Sequence, residues 1–170
     1  MGHSMGGKIA QMVACRRPEG LQAVVLVAPA PPIPLLVPDT QKRMMLASYT
    51  MPEGVGDALK VISHRPLTLA QRLQVTEDSL GGAQGAKSTW VAQGMPLDIS
   101  KQAAAITVPV CVIVGSVDQV EKEAALREAI LPLVPQAKFE VIGDVGHLSP
   151  LEGPSEVAQA ISNFVADFPP

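Results

Sequence analysis

Charge is scarce in this chain and neither sign dominates: Asp, Glu, Lys and Arg make up 17% of 170 residues, and the net charge is −3. Without a basic excess there is no electrostatic footprint for nucleic acid or for an anionic membrane surface, and neither is expected as a partner. Cysteine is nearly absent as well. Cys15 falls in a helical pattern and Cys111 in an apolar run, so both read as small core residues in a reducing compartment and not as a disulfide framework. No apolar stretch approaches the ~18 residues a bilayer span needs. No amino-terminal segment reads as a signal, so the expected location is cytoplasmic. The three histidines are scattered and the cysteines are not at ligand spacing, which leaves no metal cluster to propose. Gly81, Gly82 and Gly85 precede no Gly-Lys-Ser/Thr and form a flexible break, not a phosphate loop, so no cofactor is expected.

What the chain has is apolar content, 47% of its residues, in a length that suits one compact domain burying roughly 70% of its unfolded surface. Its most informative stretch comes first. Gly2-His3-Ser4-Met5-Gly6 fits Gly-x-Ser-x-Gly, a strand-to-helix turn in which glycines relieve backbone crowding around a protruding serine. Ser4 is then the candidate nucleophile at the head of a helix, and the N–H of Met5 the candidate oxyanion donor.

Two later stretches supply partners for Ser4. Pro109 to Gly115 is a continuous apolar, β-branched run that reads as a buried strand, and it ends in Ser116-Val117-Asp118. The run from Phe139 to Ile142 reads as a second such strand, followed by a loop with Gly143, Asp144 and Gly146 that carries His147. Asp118 has two readings, helix amino-terminal cap or acid; its place after Gly115, 29 residues before the candidate base His147, makes it the candidate acid. Asp144 is the rival acid, but it lies too near His147 in sequence to reach behind its ring easily. His3 reads as packing or backbone support beside the serine, and Lys8 as a solvated side chain one turn into the helix.

In these landmarks the chain resembles the carboxyl-terminal part of an α/β-hydrolase. The matching residues are Gly-His-Ser-Met-Gly-Gly at 2 to 7, the strand Ala23 to Ala28, Gly115 and Asp118, Gly146-His147, and Glu152 and Pro154 before a final helix that reaches Phe164. The resemblance implies a Ser-His-Asp triad of Ser4, His147 and Asp118. It also implies that about five strands and a second oxyanion donor belong upstream of the elbow, where this sequence opens. Loss of one such donor costs on the order of 10²–10³ in kcat.

Between Pro31 and Ile99 the pattern changes. Pro31, Pro32, Pro34 and Pro38 exclude helix, and short helices are expected over 41–49, 55–63, 69–80 and 85–93. The resemblance implies that this segment is a cap over the active site. Met44, Met45, Leu46, Tyr49, Met51 and Leu59, with His3 from the elbow, are candidates for lining a substrate pocket, and packing within the cap is the plain alternative for the cap side chains. Trp90 reads as an anchor between cap and sheet, and His64 as a surface residue.

The expected architecture is α/β, a partial α/β-hydrolase: residues 1–30 hold the elbow, its helix and one strand, 31–99 the cap, and 100–170 the rest of the core, with about three parallel strands. The first helix should run over 4–17 with Ile9, Met12, Val13 and Cys15 apolar. Later helices are expected over 120–131 and 155–168, the last laying Val157, Ile161, Phe164 and Val165 on the sheet. The expected function is a serine hydrolase of small, mostly apolar esters. The alternative is a weakly active or inactive fragment of such an enzyme serving as an oligomeric or binding module. The strand Ala23 to Ala28 would leave an apolar edge bare, so a homodimer or swapped oligomer covering it is expected.

Overall fold

The computed structural model describes residues 1–168. Four parallel strands stand side by side in chain order: β1 (Gly2–His3), β2 (Val24–Val27), β3 (Val110–Gly115) and β4 (Ala137–Ile142). The count expected from the sequence was three. The fourth is the short β1, which pairs Gly2 with Leu26 and His3 with Val27, so the edge of β2 expected to be bare is partly covered at the end nearest the serine.

Helices fill the connections. Helix α1 (Met5–Ala14) follows β1; α2 (Asp39–Ala47), α3 (Pro52–Ile62), α4 (Leu69–Gly81) and α5 (Gln84–Thr89) form an excursion between β2 and β3, completed by a short α6 (Ser100–Ala103). Helix α7 (Glu123–Ile130) joins β3 to β4, and α8 (Ser149–Glu152) and α9 (Pro154–Val165) close the chain. The brief α6 and α8 have no signal long enough to read from sequence. Among the described residues no helix is long and apolar enough to cross a membrane.

β2 and β3 read as unbroken apolar runs because both faces of the sheet are covered. Alternate side chains divide between two cores. Val24, Leu26, Val110, Val112 and Val114 pack with Ala14, Ala103, Leu126 and Ile130 on the side of α1, α6 and α7. Val25, Val27, Cys111 and Ile113 pack with Val157 and Phe164 of α9 on the other. Ile161 packs partly against that core, whereas Val165, expected to join it, is largely exposed. β4, expected to be buried on both faces, is half-exposed along most of its length because it is the sheet's outer strand.

Helix α1 departs most from expectation. Its sheet-facing side is Gly7, Lys8, Gln11 and Ala14, while Ile9 and Val13 are 50% and 49% exposed. Polar side chains therefore point inward and an apolar stripe points out.

The excursion has a small core of its own, Val55, Leu59 and Leu67, which extends to Leu148 and Leu151 beyond β4. Leu59 belongs to this packing. Trp90 opens a π turn (Trp90–Gly94) closed by a hydrogen bond from Met95 N–H to Trp90 O, and its ring lies against Gly94. The two ends of the excursion are tied together: Leu35 N–H donates to Met95 O and Ile99 N–H to Pro32 O.

Candidate active site

The elbow is held from the sheet side. Ser4 sits at φ 50, ψ −120, a left-handed conformation that side chains adopt rarely, and its N–H donates to Val27 O at 3.0 Å. The Ser4 carbonyl accepts from Gly7 N–H and Ala30 N–H, which fixes the turn against the end of β2. A methyl group at Gly2 would fall on the Gly6 carbonyl, so glycine there is required by backbone contact. Gly6, the other glycine of the pattern, faces open space; the second tight approach is at Gly7, against Pro29.

The acid and base loops meet at the tip of β3. Gly115 makes this possible, because a Cβ there would collide with the backbone of Val145 and Gly146. Val117 N–H donates to Val145 O and Ser116 N–H to Ile142 O, which brings Asp118 and His147 together. Asp118 Oδ1 accepts from Val120 N–H at 2.7 Å and Glu121 N–H at 3.0 Å, leaving Oδ2 to accept from His147 Nδ1 at 2.9 Å. The opposite ring nitrogen, Nε2, lies 2.9 Å from Ser4 Oγ. In a neutral imidazole that gives Nδ1–H to the carboxylate, Nε2 is the lone-pair nitrogen and the Ser4 hydroxyl its donor. Asp118 and His147 are both buried. As the first residue of α1, Met5 has no helical carbonyl one turn earlier for its N–H.

His3 stands beside this row. Its Nε2–H donates to His147 O at 2.8 Å, and the two rings lie 5.1 Å apart. Burial pushes the His3 pKa down, against the upward pull of that hydrogen bond and of Asp118. Asp144 lies away from His147: its carboxylate meets His64 Nε2 at 2.9 Å, at a largely exposed position.

Lys8 is buried, contrary to the solvated role expected for it. Its Nζ reaches Ile33 O and Met95 O, both at 3.3 Å, and so ties the two ends of the excursion to α1. Burial lowers its pKa, which Asp98 and Glu121 partly oppose. Gln11 likewise donates to Gly7 O and Ala30 O. Glu121, next to the acid loop, is buried and its carboxyl is pushed up to about 8, first by desolvation and then by Asp118, with Lys8 opposing.

The candidate pocket residues are less close-knit. Met44 is 72% exposed, and Met45 and Tyr49 are half-buried. Burial raises the Tyr49 pKa, and Lys87 Nζ lies 5.5 Å from its ring centroid. Among the described residues, no hydrogen bond joins these three to Ser4, Asp118 or His147.

The buried polar groups Lys8, Glu121 and Glu152 escaped the sequence reading as working parts. Lys8 could have been found from its spacing with Gln11 and Ala14 on the helix face that also carries Gly7.

The family pattern described as "Serine aminopeptidase, S33" matches residues 1–148. The chain belongs to this α/β-hydrolase family. A Bacillus subtilis (strain 168) protein carrying the provisional name 2-succinyl-6-hydroxy-2,4-cyclohexadiene-1-carboxylate synthase is 25% identical to this chain, over 99% of the chain and 65% of its own length. Among solved structures, an esterase from Exiguobacterium antarcticum superposes with a TM-score of 0.84 at 16% identity, covering 97% of this chain and 65% of that one. Carboxylesterase CesB from Bacillus subtilis does so with a TM-score of 0.77 at 24% identity, covering 99% and 59%. The chain thus spans less than two thirds of the length of these relatives, and the structural likenesses speak for the shared fold.

Proposed function

We propose that this hydrolase cleaves a small, mostly apolar carboxylic ester through Ser4, His147 and Asp118. The observation that carries the reading is the unbroken row Ser4 Oγ, His147 Nε2, His147 Nδ1, Asp118 Oδ2, with 2.9 Å at both hydrogen bonds and the serine on a left-handed turn. Ser4 Oγ attacks the ester carbonyl as His147 Nε2 takes its proton, and the oxyanion falls to the Met5 N–H. The imidazolium, steadied by Asp118, returns the proton to the departing alkoxide, which leaves as an alcohol while the acyl group stays on Ser4 Oγ. Water then attacks the acyl group with the same proton shuttle, releasing the acid and restoring Ser4.

In this reading the helical excursion is a cap, and Met44, Met45 and Tyr49 belong to the surface it offers to the substrate. The test is hydrolysis of p-nitrophenyl esters from acetate to octanoate by the wild type and Ser4→Ala. Turnover that peaks at a short acyl chain and vanishes in the variant supports the proposal; equal rates in both proteins defeat it.

A second reading is favoured by the exposed Met5, Ile9 and Val13 on α1. The chain would then turn over weakly or not at all and pair through that stripe with a second copy of itself. A dimer in light scattering at micromolar concentration that Ile9→Lys converts to monomer supports this; a wild-type monomer removes it.

A further inference from the structure

The base loop and the helical excursion share one buried carboxylate. Glu152 is 7% exposed, yet four backbone N–H groups converge on it. Gly146 N–H reaches Oε2 at 2.9 Å and Leu148 N–H reaches Oε1 at 3.1 Å, one on each side of His147. The other two come from across the molecule: His64 N–H and Arg65 N–H, just beyond α3, each reach Oε2 at 2.8 Å. Hydrogen bonds to an ionised acceptor are the strong kind, and orphaning several buried amides together is costly.

The surrounding contacts follow the same line. His147 N–H donates to Ile62 O at 3.0 Å, and Leu148 N–H also approaches that carbonyl at 3.3 Å. Arg65 donates to the carbonyls of Gly143, Asp144 and Glu152 and pairs with Glu156 at 2.8 Å. Leu148 and Leu151 pack on the excursion's own apolar core. The backbone of His147 is thus tied in part to residues 62–65, which lie outside the sheet that carries the loop.

We propose that Glu152 is a positioning residue that couples the helical excursion to the base: residues 62–65 and 146–148 form one unit, and His147 is aligned with Ser4 only while residues 62–65 are docked. This rests on His147 acting as the base. It also goes beyond that reading, because it makes the excursion a condition of reactivity as well as a wall of the pocket. A displacement of residues 62–65 would withdraw the Ile62 carbonyl and the two far-side amides together, leaving Gly146 and Leu148 on a carboxylate that is no longer fixed in place.

The test uses Glu152→Gln, which keeps the side-chain shape but replaces one acceptor oxygen by a donor. Amide hydrogen exchange is measured by mass spectrometry, together with inactivation by a fluorophosphonate resolved into its binding constant and its maximal rate. The expected result is faster exchange at 62–65 and 146–148 together. The maximal inactivation rate should fall by about tenfold or more with the binding constant unchanged. Wild-type inactivation rates, or faster exchange confined to 146–148, would overturn the coupling.

If Glu152→Gln does not fold, the pair His64→Pro and His64→Ala replaces it. Both variants lose the imidazole contact to Asp144, but only proline removes the N–H to Glu152. His64→Pro should show the joint exchange increase and His64→Ala should not; identical behaviour would overturn the proposal. If the wild type itself resists the fluorophosphonate, the serine-hydrolase reading fails, and the exchange data alone still decide whether the two segments are one unit.

Discussion

The two sides of the candidate site are built differently. On the acid and base side, β3 and β4 pair over six residues, Asp118 is held by two amides, and the peptide units around His147 are bonded to Glu152, Ile62 and His3. On the serine side, β1 pairs through two residues, and the helix behind Ser4 turns Ile9 and Val13 to solvent. The carboxyl-terminal side is over-determined by contacts, whereas the serine side depends on the Ser4 backbone bonds to Val27, Gly7 and Ala30 and on the buried polar anchors Lys8 and Gln11. Strain at Ser4 can persist only because those few contacts hold it.

The largest expected effect addresses the serine–histidine link between the two sides. His147→Ala and Ser4→Ala should each lower ester turnover by about 10⁴-fold or more, and the double variant should be no worse than either, since residues acting as a unit are not additive. Additive losses in initial-rate measurements would mean the two side chains work separately.

Stability sharpens the contrast next. Ile113→Ala, in the buried centre of β3, should cost about 2–5 kcal/mol in denaturant melts, whereas Ile9→Ala on the open stripe of α1 should cost under about 0.5 kcal/mol. A large loss at Ile9 would show that its face is covered in solution. Within the elbow, Gly2→Ala must push its methyl into the Gly6 carbonyl and should lower both activity and melting temperature. Gly6→Ala meets open space inside a helix and should leave the protein as stable or up to about 1 kcal/mol more so.

Much of this arrangement was legible in the letters. The Gly-x-Ser-x-Gly turn, the apolar run before Gly115 and the glycine-flanked His147 each have a local physical signature, and their order along the chain sets which loops meet. The excursion's helices were also foreseen to within a few residues, from prolines and apolar spacing. Hidden were the places where side chains work against their type. Lys8 looks solvated until the carbonyls of Ile33 and Met95 are brought over it, and Ile9 and Val13 look buried until the sheet proves to lie on the other face of α1. Glu152 was visible as a landmark, but the far-side amides that give it a task become its neighbours only through folding.

The smallest effect concerns pH. A carboxyl raised from its ordinary range to about 8 in the folded chain holds a proton that the unfolded chain has lost, so Glu121 makes stability fall as pH rises from about 5 to 8. His3, whose pKa is lowered, acts with the opposite sign toward the acid end of that window, and Lys8 with the opposite sign at more alkaline pH. The wild type is therefore compared directly with Glu121→Gln: the variant's melting temperature should gain on the wild type steadily between pH 5 and pH 8. A constant difference would mean that Glu121 is ionised throughout.

The most direct test of the account is covalent capture of the nucleophile. The wild-type chain is incubated at neutral pH with a fluorophosphonate, digested, and its adducts located by mass spectrometry. One phosphonate on Ser4, absent in Ser4→Ala and formed far more slowly in His147→Ala, is the predicted result; a folded wild-type protein that carries no adduct, or carries it on another residue, would contradict it.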